Sequence, residues 1–132
     1  MQNKQVILQQ TIEKIKSGTL IPDFRVSSSP ESISAYLVSD RCLMQGVVSA
    51  DFLGEYWWLS RALVNPPEAR NIGLGSKMLQ LLIQEIKLQP FIRKIIVEPG
   101  GYDNNTKQQR NFYYKNGFKD STECETALEL NA

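Results

Sequence analysis

The sequence predicts an α/β (α+β) domain: a mixed sheet flanked by helices. Two observations point there. A strand–helix–strand unit spans residues 56–98, and such a crossover normally sets its two strands parallel and right-handed. Ahead of it, two short strand patterns are spaced as an antiparallel hairpin. A chain of 132 residues, 42% hydrophobic and 22% charged, suits one globular domain over 1–132 with a sizeable core.

Each element has a local reason. Leu8, Ile12 and Ile15 fall on one face of a helix over Val6 to Lys16, which Gly18 stops. Pro22 to Ser32 has no period and contains Ser27-Ser28-Ser29-Pro30, so it reads as a loop. Ile33 to Val38 and Leu43 to Ala50 read as a hairpin turning at Ser39-Asp40-Arg41. Tyr56 to Val64, aromatic and branched, reads as a strand ended by Asn65-Pro66-Pro67. Met78, Leu79, Leu82, Ile83 and Ile86 give a helix from Gly75 to Gln89. Lys94 to Glu98 is a short buried strand, Asn104 to Asn116 a helix capped by Gly117, and Thr126 to Leu130 a last strand.

Composition excludes several functions. The chain has no histidine, which removes the usual general base and every Ser-His or Cys-His pair. Cys42 and Cys124 alone build neither a disulfide framework nor a zinc site, so they read as small core hydrophobes and no metal is expected. Apolar runs such as Leu81-Leu82-Ile83 fall far short of the ~20 residues of a membrane span, and no secretory leader pattern opens the chain. A cytoplasmic location is the default expectation. Net charge is +1, but residues 61–119 hold ten basic and four acidic side chains, while residues 120–132 hold no basic and four acidic ones. A compact polyanion suits the basic segment better than a nucleic-acid duplex does.

The most informative stretch is Arg70-Asn71-Ile72-Gly73-Leu74-Gly75-Ser76, between a strand and a long amphipathic helix. Glycines let backbone N–H groups approach an anion, and a helix start adds unsatisfied donors and about half a positive charge. The dinucleotide pattern fails because its third glycine is Met78, and the triphosphate loop fails because Gly75-Ser76-Lys77 runs in the wrong order.

Taken with Phe112-Tyr113-Tyr114-Lys115-Asn116-Gly117-Phe118 downstream, the Arg-x-x-Gly-x-Gly turn resembles the GNAT superfamily of acyl-CoA-dependent N-acyltransferases. The resemblance covers roughly Leu59 to Phe118. It implies a mostly antiparallel sheet with a central parallel pair that splays apart, and acetyl-CoA as cosubstrate. It implies that N–H groups of Ile72, Gly73, Leu74, Gly75 and Ser76 hold the pyrophosphate, with Arg70 and Asn71 also in the cofactor site, and that Leu63 and Val64 hydrogen-bond the pantetheine arm as an added strand. Tyr113 falls at the position whose hydroxyl protonates the leaving thiolate, and Asn105 near a position that contacts pantetheine.

The amine needs a base, since an acceptor of pKa near 10 is neutral about once in a thousand molecules at pH 7, which costs about 4 kcal/mol. Glu98 is the first candidate, with Glu55 and Asp51 next. Departures from the pattern are Asn71 in place of a glycine, one extra residue between Val64 and Arg70, a long loop over residues 99–104, and Thr106 where asparagine is common. Asn tolerates positive φ better than most residues. The N-terminal region is short beside relatives that place two helices over the acceptor. Of Trp57 and Trp58, alternation puts one in the core and the other at the surface or at a dimer contact. The expected acceptor is an amine, small or borne by a protein or aminoacyl-tRNA. A non-catalytic acyl-CoA-binding module is the alternative.

Overall fold

The computed structural model describes residues 3–38, 43–90, 93–99 and 106–132. Helix α1 (Lys4–Lys16) is capped by Asn3, whose side chain accepts the Val6 N–H at 2.9 Å, and it buries Leu8 and Ile12. Four strands follow: β1 (Asp23–Ser28), β2 (Ser32–Val38), β3 (Gln45–Phe52) and β4 (Trp57–Asn65). After a 3₁₀ turn at Pro67–Ala69 come α2 (Leu74–Lys87), β5 (Lys94–Val97), α3 (Thr106–Lys115), β6 (Lys119–Asp120) and β7 (Leu128–Asn131).

Among the described residues the seven strands form one sheet in the order β1-β2-β3-β4-β5-β7-β6. Every neighbouring pair is antiparallel except β4–β5, which is parallel as its crossover requires. Ile33, Ala35, Val48, Ala50, Trp57 and Leu59 face a core completed by Met78, Leu79, Leu82 and Ile86 of α2. Gly46 lets α2 lie close, since a Cβ there would sit 2.7 Å from Met78 Cε.

Several expectations need correction. Residues 22–32 are not all loop: β1 pairs with β2 from Asp23↔Val38 to Ser28↔Ile33. This edge strand is exposed at every residue but Phe24, so it lacks the alternation that marks a half-buried strand. The two-residue β6 also went unread, being too short to carry a pattern. Cys124 is exposed, not core. Trp57 is buried at 2% and Trp58 is half-buried, as alternation requires. The expected turn at Ser39-Asp40-Arg41, together with Cys42, lies outside the described residues.

Candidate functional site

The parallel pair holds for only two steps, Trp57↔Ile95 and Trp58↔Ile96. Beyond them β5 ends at Val97 while β4 runs on to Asn65. A register shift in β3–β4, where Ser49 opposes Arg61 and Ala50 opposes Leu59, makes Ser60 the extra residue of a bulge and turns β4 away. The backbone edge of β4 facing the split is therefore open to an extended ligand. Here lies a groove of about 540 Å³, lined by residues 60–64 of β4, the turn at Arg70, Asn71 and Gly73–Ser76, Glu98 and Pro99 after β5, and Phe112 and Tyr113 of α3.

The turn that closes one end is shaped by two left-handed residues. Asn71 has φ 65° and Gly73, which caps α2, has φ 92°. Asn71 thus adopts the angles that a glycine would, for which it is among the best-suited side chains. Gly75 serves a different purpose: a Cβ there would lie 3.3 Å from Phe112 Cε1, so its bareness lets α3 approach the start of α2. Asn116 fastens this junction, donating to Ser76 Oγ at 3.1 Å and to the Phe112 carbonyl at 2.8 Å while accepting from Gln80. Nothing in the sequence pattern singled out Asn116.

Arg70 lines the groove, yet its guanidinium is turned to the main chain. Its Nε donates to the Val64 carbonyl at 2.8 Å and its Nη2 to Asn65 Oδ1 at 3.1 Å. It fastens the turn to the end of β4. With that carbonyl engaged, the remaining main-chain groups of Leu63 and Val64 are those left for a ligand. Ile72 and Leu74 face inward, Leu74 fully, so they contribute only backbone to the turn.

Tyr113 is 6% exposed, packed edge-on between Phe112 and Phe118 at ring-centroid distances of 5.1 and 5.4 Å. Burial pushes its phenol up to about 12. No described residue hydrogen-bonds the hydroxyl. Tyr114 is turned outward and hydrogen-bonds Asp120, apart from the groove lining. Glu98 is exposed at the groove mouth, and its Oε1 accepts from Thr126 Oγ1 at 2.7 Å. A threonine hydroxyl has one hydrogen, so the Cys124 thiol, 3.2 Å from Thr126 Oγ1, is the donor in that second contact. Arg110 Nη1 reaches the Thr126 carbonyl at 3.3 Å, tying α3 to the same loop. Glu55 and Asp51 are not part of the groove lining. Asn105 lies outside the described residues, and the Thr106 side chain is not described. Among the described residues there is no cluster of metal-ligating side chains.

No protein-family model matches the chain. No curated protein matches it either. Among solved structures, the anti-CRISPR protein AcrVA5 superposes with a TM-score of 0.53 at 14% identity, over 76% of this chain and 98% of its own. A protein described as an acetyltransferase from the GNAT family of Bacteroides thetaiotaomicron aligns with a TM-score of 0.49 at 16% identity, over 100% of this chain and 85% of its own. At 14% identity the likeness to AcrVA5 is one of fold. Seven mostly antiparallel strands, one parallel pair that parts, and a glycine turn opening the helix between the two parting strands make the fold GNAT-like.

Proposed function

We propose that this chain transfers an acetyl group from acetyl-CoA to a primary amine by direct attack. The observation that carries the reading is the split between β4 and β5, which joins a backbone anion cradle at the α2 start to a buried tyrosine across one groove. The residues present fit the cosubstrate. N–H groups of the turn and of the first turn of α2, residues 71–76, are free of helical partners and would hold the pyrophosphate. The open edge of β4 near Leu63 and Val64 would bind the pantetheine arm, and the thioester would supply the activated acetyl group.

The step balances as follows. The amine nitrogen forms a bond to the acetyl carbon, the carbon–sulfur bond breaks, the nitrogen gives up a proton, and the departing thiolate gains one. Glu98, held by Thr126 at the groove mouth, would take the proton, directly or through water. Tyr113 would give its hydroxyl hydrogen to the thiolate and be reprotonated from solvent. A phenol near 12 is a weak acid beside a thiol of about 8.5. The burial that raises the phenol also raises a thiolate formed next to it, and this narrows the mismatch. The cytoplasm, where acyl-CoA is at hand, is the setting this reading assumes.

The test is thiol release from acetyl-CoA with a panel of amines, alongside calorimetry of acetyl-CoA binding. Tyr113→Phe should lower kcat by about a hundredfold or more while acetyl-CoA still binds. Absence of acetyl-CoA binding would overturn the reading. Intact binding with turnover indifferent to Tyr113→Phe would leave an acyl-CoA-binding module.

One observation favours a macromolecular acceptor as a second reading. β1 passes into β2 through residues 29–31 alone, and Tyr36, Val38 and Leu63 stand exposed on the sheet face turned away from α2. Exposed apolar side chains beside the groove suit an amine presented by a larger partner. Activity that falls steeply with salt would point to tRNA as that partner, and salt-insensitive activity to protein.

A further inference from the structure

Arg61 stands where the sheet parts. Counting on from Trp57↔Ile95 and Trp58↔Ile96, Leu59 falls level with Val97 and the bulged Ser60 with Glu98. Arg61 is the next residue along, opposite Ser49 on β3. Arg61 and Glu98 are both exposed and both line the groove, the cation on its β4 wall and the carboxylate just past the end of β5.

They are not an ion pair. Glu98 is held by Thr126 at 2.7 Å, and no described residue bonds or pairs with the Arg61 guanidinium. Arg70, also in the groove lining, is by contrast consumed by the Val64 carbonyl and Asn65. Among the described residues, then, nothing takes up the donors of the Arg61 guanidinium on the groove wall. Its planar fork matches a carboxylate or phosphate in two-point contact.

We propose that the acceptor carries an anionic group a few bonds from its amine, received by Arg61 while the amine lies at Glu98. The inference rests on the acetyl-transfer reading above and names the acceptor's chemistry. Two sources share it: a free aminocarboxylate, or a lysine beside Asp or Glu in a protein segment.

Matched acceptors separate them. Thiol release is measured with 4-aminobutyrate and 6-aminohexanoate against their amides, and with end-blocked Gly-Asp-Lys-Gly against Gly-Asn-Lys-Gly. The expected result is a kcat/KM about tenfold higher for the anionic member in one arm, the worth of one charge-assisted hydrogen bond at an exposed site, and that arm identifies the source. Arg61→Gln should bring the ratio close to one, Arg61→Lys should keep part of it, and Arg61→Glu should reverse it. Calorimetry should show that Arg61→Gln and Arg61→Lys still bind acetyl-CoA, which shows that they are folded. Turnover indifferent to the carboxylate, or a preference that survives Arg61→Gln, overturns the inference and leaves acetyl transfer standing. Acetyl-CoA binding with no release from any acceptor overturns the reaction and the inference together.

Discussion

Tyr113 is buried against Phe112 and Phe118 and lines the groove, and that position has measurable consequences. Its phenol titrates near 12 in the fold against about 10 in the unfolded chain. Between those values the unfolded chain has lost a proton that the folded chain keeps, so stability present below pH 10 falls as pH rises to 12, by about 3 kcal/mol. Urea unfolding of Tyr113→Phe should therefore lose less stability than the native chain across that window. Glu98→Gln should lower kcat/KM about a hundredfold at pH 7, with the deficit shrinking towards pH 10, where more of the amine is already neutral. A pH–rate profile checks this. That Tyr113 and Glu98 line the groove was legible, the first from a short motif and the second from its place at a strand end. Thr126 was not, because its partner lies 28 positions away and nothing in a local pattern reports the contact.

Among the elements, the turn between β4 and α2 concentrates most of the design. Its two glycines look alike in sequence and act differently. Gly73 needs φ 92°, with nothing near its missing Cβ, so Gly73→Ala should cost about 1 kcal/mol of backbone strain and lower Tm by about 4 °C. Gly75 is helical and limited by Phe112 at 3.3 Å, so Gly75→Ala should push α3 from α2 and weaken acetyl-CoA binding more than it lowers Tm. Phe112→Leu in that background should restore part of the affinity, measured by calorimetry. Elements with an amphipathic period, α2 above all, were readable to within a residue or two. The edge strand β1 was not. An exposed strand that is paired on one side only needs no alternation, and its pairing with β2 is a non-local fact.

For the whole molecule, the even charge balance resolves into parts with separate uses. Of the acidic residues in 120–132, Glu129 is buried and lies 3.7 Å from Lys94, and Glu123 lies 2.8 Å from the same amine. Glu129 ties β7, and Glu123 the segment before it, to Lys94 of β5, which borders the split. Binding to the folded state alone should stabilise the molecule: at a hundred times its dissociation constant, acetyl-CoA should add about 2.7 kcal/mol, read as a rise in Tm that a matching thermal scan with ATP does not reproduce.

What the sequence determined by itself is local in its physics. Periodicity placed the helices and inner strands, glycine and asparagine set the backbone angles of the turn, and the absence of histidine left any proton chemistry to Asp, Glu, Tyr, Lys, Cys or water. Only the tertiary structure decided where β4 and β5 part, that Arg70 turns to the main chain while Arg61 does not, and that Thr126 holds Glu98. Those are pairings between distant segments. They follow from which strands lie side by side and how a bulge bends them, and that is settled by packing the whole core rather than by any short run of residues.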